Sequence, residues 1–314
     1  MSRHLKTLLV AALLTFIPFH AFAQTQVDTG LATPTGHEVD FALGGYSYVE
    51  PGDTSISIHG PKLGGEYTGT MSLNPGQHWF LQGDVRGLVG KTTYDGWCSP
   101  FLITPDSTSP NGYALDVGDP SPCSEKGDKD WYAEGRALIG KDFIGGKWGW
   151  SPDVGLGIRH LSNGATGVAG YRTDDYLYLP LGMTARTAVG AHSGLSLSLE
   201  YDQLLHGWQK TRDSQLGGGD VPSTPTAPAF TIERFSDISF DQHSGWALRA
   251  RAKYQLTREL SIEPEYIHWN VSASPVNDET ATFTVGGITT VQQLGAYEPL
   301  NRTNEFTVKL GVRF

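Results

Sequence analysis

The end of the chain, NEFTVKLGVRF, alternates between apolar and polar side chains from its third residue onward. Successive side chains of a β-strand point to opposite faces, so this segment predicts a strand with one apolar face and one polar face. A soluble sheet can show the same alternation, so the rest of the chain decides which environment the apolar face meets. The apolar positions are Phe306, Val308, Leu310, Val312 and Phe314.

The alternation stops on an aromatic residue. This ending resembles the C-terminal signature of Gram-negative outer-membrane β-barrel proteins, in which the final strand ends in Phe and closes the barrel. The resemblance implies a barrel surrounded by outer-membrane lipid and lipopolysaccharide. It also implies that the barrel-assembly machinery recognises the C-terminal strand.

The N-terminus predicts export. Residues Met1–Ala23 combine a basic start, a short apolar run and an Ala-Phe-Ala cleavage pattern, as a secretory signal peptide does. The apolar run is too short to span a bilayer as a helix. We therefore predict a signal peptide over 1–23, an N-terminal leader over 24–36 and one barrel domain over 37–314. The predicted location is the outer membrane of a Gram-negative bacterium.

The composition fits a barrel. Hydrophobic residues make up 39% of the chain, and no stretch beyond residue 23 has the apolar length of a transmembrane helix. A barrel has this composition because only half of each strand faces lipid. The net charge of −10 comes without a basic block, which argues against a nucleic-acid partner. We predict no cofactor and no metal.

Period-two segments of about ten residues, the length of a transmembrane strand, recur along the chain. We expect about ten strands, an even number that places both chain ends on one side of the membrane. The predicted fold is all-β, an antiparallel up-and-down transmembrane β-barrel, and we expect a monomer. Predicted short turns at 74–76, 144–146 and 256–259 alternate with long loops, which end near Lys129, run from about Lys210 to Phe240, and precede the C-terminal strand.

Two cysteines, Cys98 and Cys123, lie in one segment rich in Pro, Ser and Asp. In an exported protein such a pair predicts a disulfide, here closing the first long loop.

Charged residues occupy the polar face of the segments. If the apolar face meets lipid, these charges line a narrow lumen, where we expect acids and bases to pair and fill the interior. A narrow pore stays open as an alternative. The predicted lumen charges are Asp40, Glu66, Asp84, Arg86, Glu134, Arg136, Arg159, Arg186, Glu200, Asp202, Arg249, Arg251, Glu263, Glu265, Lys309 and Arg313.

The predicted architecture is similar to that of the omptin proteases, ten-stranded barrels with an active site above the membrane. That family uses an Asp-x-Asp pair and an Asp-x-His pair across a cleft to activate water. The matching positions are Asp128 with Asp130 and Asp241 with His243, and strand parity places all four on the lumen side. Both pairs immediately precede strands here, whereas those of the family lie earlier in the loop regions.

A second resemblance comes from His160-Leu161-Ser162-Asn163, which is similar to the His-x-Ser-Asn of lipid A deacylases. In that family His activates Ser, an acid orients His and Asn helps to bind the oxyanion. Parity places His160 and Ser162 toward lipid near the surface rim, with Asp175 as the acid across the hairpin. The barrels of that family are smaller, and their acid is typically Glu.

These observations favour a non-enzymatic surface structural or interaction protein that acts through its long loops, since rigid scaffolds present function on loops. A surface hydrolase, either protease or lipid A esterase, is the alternative. Convergence of either set of candidate residues in space discriminates between the two classes.

Overall fold

The computed structural model describes residues 30–52, 55–74, 76–164, 171–190, 193–216 and 218–314. The predicted signal peptide and residues 24–29 of the leader lie outside these residues. Within them, no helix is long and apolar enough to cross a bilayer.

Ten antiparallel strands form a closed barrel, as the alternation predicts. Each strand pairs with its neighbour along the chain, and the first pairs with the last. The strands are β1 (Gly36–Glu50), β2 (Ile56–Asn74), β3 (Trp79–Cys98), β4 (Ser121–Lys141), β5 (Trp148–Asn163), β6 (Tyr171–Ala188), β7 (Gly194–Arg212), β8 (Gly245–Gln255), β9 (Leu260–Val271) and β10 (Asn301–Arg313).

The C-terminal alternation closes this barrel. Phe41 on β1 pairs with Leu310 on β10, and both side chains are 55% exposed on the outer wall. The adjacent Lys309 is 2% exposed, because its side chain points into the lumen. The barrel is therefore apolar outside and charged inside. We call the end with the long connections the surface end and the end with short turns the periplasmic end.

The first long loop is shorter than predicted. β3 and β4 contain 20 and 21 residues and continue beyond the outer apolar belt as a two-stranded ribbon. The disulfide between Cys98 and Cys123 is present, with the Cα atoms 5.7 Å apart. It joins the two strands of the ribbon, whereas the sequence prediction placed both cysteines within a loop. The reason is that the alternation here runs through polar residues and lacks the apolar signal of a membrane strand.

The long connections contain further strands that the sequence analysis did not predict. A hairpin lies between β3 and β4, and a four-stranded sheet joins the β7–β8 connection to the β9–β10 connection. We call these six strands the cap. They are Phe101–Pro105, Tyr113–Val117, Gly219–Val221, Phe230–Phe235, Asn277–Val285 and Ile288–Ala296. A further strand, Ile238–Gln242, extends the barrel wall beside β7, Phe143–Gly145 pairs with β5, and Asp213–Gln215 is a 3-10 turn.

The cap has its own apolar core. Phe230, Ile232 and Phe283 are at most 6% exposed and pack with Ile103 and Leu115 of the hairpin. The hairpin is also held to the sheet by a side chain, because the Gln292 amide accepts from the Leu115 N–H at 2.7 Å and donates to the Leu115 carbonyl at 2.9 Å. Three separate connections thus fold into one unit.

Candidate functional site

The middle of the lumen holds a dense network of ion pairs. Arg86 Nη1 lies 2.8 Å from Glu265 Oε2, and Arg249 Nη2 lies 2.7 Å from Glu134 Oε1. All four side chains are fully buried. Buried charges are tolerated only when they are paired and hydrogen-bonded, and alternating charges from facing walls supply that pairing. The network closes the lumen at this level.

The residues predicted to line the lumen are all buried or half-buried on the inner wall. The predicted set omits several members of the network, among them Lys62 and Glu305. Lys62 donates to Asp130, and Glu305 accepts from Arg86 and from the Tyr132 hydroxyl. Glu305 has the same strand parity as Lys309, so extending the C-terminal alternation by two residues would have found it.

Below the network, a cavity of about 610 Å³ opens toward the periplasmic end. Its wall carries both charge signs, including Asp40, Arg251 and Lys253. The segment that precedes β1 lies at its edge, where the Thr33 N–H donates to Asp142 at 2.9 Å. The lumen is therefore open between the ion-pair network and the periplasmic end.

At the surface end, a polar cluster fastens the segment between the last cap strand and β10 to the barrel. We call Tyr48, Glu50, Arg172 and Glu298 the latch. Arg172 Nη1 lies 2.7 Å from Glu50 Oε1 and 3.2 Å from Glu298 Oε1, and the Tyr48 hydroxyl donates to both carboxyl groups. Burial raises the pKa of Glu298 to about 7, with the adjacent Glu50 adding to the shift and Arg172 opposing it. Sequence patterns gave no sign of the latch, because its members lie on three distant segments.

The proposed protease constellation does not assemble. Asp128 and Asp130 lie on the inner wall of β4, where Asp130 forms a 2.5 Å ion pair with Lys62. Asp241 and His243 are exposed on the opposite side of the wall, so their predicted lumen-side position is wrong. Strand parity extended back from β8 would place Asp241 and His243 on the inner face. Residues 243–244 are irregular, however, so Gln242 lies on the inner face and its two neighbours point outward. The two pairs therefore face different environments.

The rim candidates do come together in part. His160 Nδ1 lies 2.6 Å from Asp175 Oδ1, with both side chains a little over a third exposed on the outer wall. Trp131 packs against the His160 ring with centroids 5.0 Å apart. The Ser162 hydroxyl is buried and hydrogen-bonds to the Tyr171 hydroxyl. A His oriented by a carboxylate through Nδ1 keeps Nε2 available as a general base.

The fourth member of that motif points elsewhere. The Asn163 amide donates to Asp130 Oδ2 at 3.2 Å, so it lies on the lumen side and not beside Ser162. The expected role of Asn163 in oxyanion binding is thus not supported by its position.

A second His–Asp pair lies farther round the rim. His206 Nε2 is 3.1 Å from Asp241 Oδ1, and its ring packs against Trp208 with centroids 4.2 Å apart. Each of the two His rings packs against a Trp, but His206 turns Nε2 toward its acid whereas His160 turns Nδ1. In the described ranges, no group of three or more His, Cys, Asp or Glu side chains could hold a metal ion.

The distribution of polarity decides the class of the molecule. A closed wall with apolar side chains outside and paired charges inside suits lipid on its outer face and not water. The protein is a transmembrane β-barrel.

No protein-family model and no curated protein matches the chain. Solved structures of barrels are similar to it at low identity. The outer-membrane protease OmpT from Escherichia coli is 12% identical, covers 92% of this chain and 100% of its own, and has a TM-score of 0.45. The transport unit of the autotransporter AIDA-I from Escherichia coli is 9% identical, covers 97% of both chains and has a TM-score of 0.39. Ail of Yersinia pestis is 12% identical, covers 90% of this chain and 100% of its own, and has a TM-score of 0.27.

Proposed function

We propose that this outer-membrane β-barrel is a non-conducting scaffold that presents the cap to partners at the cell surface. The observation that carries the proposal is the cap itself, a folded unit with its own core and a buried latch to the barrel. Mobile loops do not need such a core, whereas a binding surface benefits from being held in one shape.

The lumen network supports the non-conducting part of the proposal. Arg86, Arg249 and Glu134 fill the middle of the barrel with fully buried side chains. A solute pathway would have to separate these pairs, which leaves charges buried and unpaired. A narrow pore is therefore the less favoured function.

The outer surface of the cap supports the interaction part. Val291 is 64% exposed and Val276 is 65% exposed, although water solvates neither side chain favourably. Ile288 and Val117 are also more than half exposed. Exposed apolar side chains on a rigid unit can be buried favourably by a partner.

Adhesion to polystyrene by cells that display the protein tests this role. We expect the variant Val276→Ser with Val291→Ser to adhere several-fold less, because it loses two exposed apolar side chains that a partner surface would bury. Since both side chains are exposed, the changes should not disturb the fold. The matched control is Leu199→Ser, whose 61% exposed side chain lies on the membrane-facing wall. Equal adhesion by the cap variant and the unmodified protein would refute the role of this surface.

The rim supports a second candidate function, hydrolysis of an acyl ester in the outer leaflet. The specific observation is the 2.6 Å contact between His160 and Asp175 with Ser162 two residues further along β5. In this proposal His160 takes the proton of the Ser162 hydroxyl as that oxygen attacks an ester carbonyl, and returns it to the lipid hydroxyl that leaves as the ester C–O bond breaks. Water, deprotonated by His160, then attacks the acyl-serine and releases the fatty acid, which restores the Ser162 hydroxyl. Ser162 must first exchange its hydrogen bond with Tyr171 for one with His160.

Mass spectrometry of lipid A from cells with and without the protein tests this candidate. We expect loss of one acyl chain with the unmodified protein and none with Ser162→Ala. His206→Ala is the control, because it disrupts the other His–Asp pair of the rim. Identical lipid A in all strains would exclude the esterase and leave the scaffold proposal untouched.

A further inference from the structure

Two lysines face each other on the outer wall near the surface end. Lys91 on β3 pairs directly with Lys129 on β4, and both side chains are exposed. Directly opposed residues of an antiparallel pair have Cβ atoms about 5 Å apart, and like charges in that position destabilise a sheet. A pair of ammonium groups held together in this way favours an anion between or above them.

No acid in the described ranges neutralises the pair. The residues beside it are glycines: a Cβ on Gly60 would lie 2.5 Å from the Lys91 carbonyl oxygen, and a Cβ on Gly164 would lie 2.9 Å from that of Lys129. The segment after Gly164, residues 165–170, contains no charged residue in the sequence. The next acid on the outer face of β3 is Asp95, four residues further along, which lies 3.9 Å from His59.

The height of the pair identifies the environment. Two residues toward the membrane on each strand lie Val89 and Trp131, which are 51% and 38% exposed and belong to the apolar outer belt. Trp residues mark the boundary between hydrocarbon and headgroups. The ammonium groups of Lys91 and Lys129 therefore lie at the level of the outer-leaflet headgroups.

We propose that Lys91 and Lys129 form a binding site for a phosphate of an outer-leaflet lipopolysaccharide. Lysine binds phosphate as a strong point charge, and two lysines at this spacing can contact two oxygens of one group. Lys126, exposed and paired with Thr93 on the same ribbon, adds positive charge on the surface side. The site is independent of both functions proposed above.

Retention of lipid A by the purified barrel in detergent tests the site. The probes are bisphosphorylated lipid A and the same lipid after removal of its phosphates, and the variant is Lys91→Gln with Lys129→Gln. We expect the unmodified barrel to bind the phosphorylated lipid at least ten-fold more tightly than the variant does. The dephosphorylated lipid should bind both proteins equally weakly. Lys141→Gln with Lys147→Gln, at the periplasmic end, should bind like the unmodified barrel.

Equal binding by the Lys91/Lys129 variant, or equal binding of the two lipids to the unmodified barrel, would overturn the proposal. Competition by millimolar inorganic phosphate would also overturn it, because the site would then serve free phosphate and not lipid. A thermal unfolding scan without lipid completes the test. Removing the repulsion should leave the melting temperature unchanged or raise it, and a decrease would mean that the lysines serve the fold instead.

Discussion

The barrel and the cap bury opposite chemistry within one chain. The barrel encloses arginines and glutamates, with Arg249 1% exposed, and presents Phe41 and Leu310 to its surroundings. The cap encloses Phe283, 0% exposed, and presents both polar and apolar side chains, among them Gln293 and Val291. The difference follows from the surroundings of each region. The outer wall of the barrel meets lipid, so its apolar side chains lie outside and its charged side chains inside. The cap is surrounded by water, so burying apolar side chains in its interior stabilises it.

The two regions also differ in what holds them together. The barrel interior depends on charges that stabilise only as a complete set, since removing one partner leaves another buried without a counter-charge. The cap depends on contact between apolar side chains, where each substitution costs an amount set by the cavity it leaves. The predictions below test this distinction, beginning with the largest effect.

Arg249→Met should give the largest loss of stability. Arg249 contacts Glu134, Glu200, Glu265 and Asp202, so its removal leaves four buried carboxyl groups short of one counter-charge. We expect the free energy of unfolding to fall by about 3–5 kcal/mol. Urea denaturation followed by the gel shift between folded and unfolded barrel measures it. Arg258→Met, at an exposed turn, is the control and should change little.

Phe283→Ala should destabilise the cap while leaving the barrel intact. The side chain is fully buried among cap residues, and its truncation should cost about 3–4 kcal/mol locally. Limited proteolysis should then cut the cap strands, while the thermal transition of the barrel stays unchanged. If the barrel transition shifts equally, the two regions form one cooperative unit and the distinction between them fails.

Reduction of the disulfide should weaken the ribbon between barrel and cap. The Cys98–Cys123 bond closes a separation of 25 residues, which corresponds to about 3 kcal/mol in the chain-entropy model. Cys98→Ser with Cys123→Ser should raise amide hydrogen exchange in the ribbon and in the Phe101–Pro105 hairpin. Unchanged exchange there would show that the strand pairing holds the ribbon without the bond.

The latch should lose stability as the pH rises. Burial raises the pKa of Glu298 from 4.5 to about 7, so the folded latch favours the protonated acid. Its contribution is complete below about pH 4.5 and is lost as the pH rises through about 7, by roughly 3 kcal/mol. Proteolysis of the cap across this range measures the change. Glu298→Gln should flatten the profile, and a profile that stays equally steep would assign the titration to other groups.

Gly311→Ala should have the smallest effect of this series, about 1–2 kcal/mol. A Cβ at this position would overlap the carboxyl group of Asp40 and the Ser261 hydroxyl on the inner wall. The same change at Gly45, where no atom lies within 4 Å of the added Cβ, is the matched control. Thermal unfolding of the two variants should differ, and equal melting temperatures would mean that the inner wall relaxes more easily than its close contacts indicate.

Sequence periodicity predicted the barrel well because the membrane imposes one rule on every strand. Apolar residues must alternate with lumen residues over about ten positions, so Phe306 to Phe314 and the segments like it are recognisable one by one. The same rule placed Lys309 and Arg249 in the lumen. It could not pair them, since pairing depends on which strands meet across the interior.

The sequence analysis did not predict the cap strands, because short strands in water carry a weaker periodic signal than membrane-spanning strands. Its strands have three to nine residues, and their core is assembled from three connections that are distant in sequence. One signal was present. Ala281, Phe283 and Val285 alternate with threonines before Gly286-Gly287, a pair with φ of 57° and 81° that suits a tight hairpin turn. The partners of this hairpin could not be read from the sequence.

The candidate residues near the surface end show when strand parity predicts the position of a side chain correctly. His160 and Asp175 meet because they are cross-strand partners in β5 and β6, a pairing that parity and the hairpin suggested. Asp241 and His243 failed because two irregular residues reset the parity before β8. Parity is reliable within a continuous strand and fails across a break in it.

Single-channel recording in planar bilayers tests the central claim most directly, namely that the charged interior of the barrel is a closed core. The unmodified protein should give no stable current steps at moderate voltage, because the Arg86 and Arg249 pairs occupy the lumen. Regular conductance steps from the folded, unmodified barrel would contradict the account, since ions would then be crossing the region described here as filled.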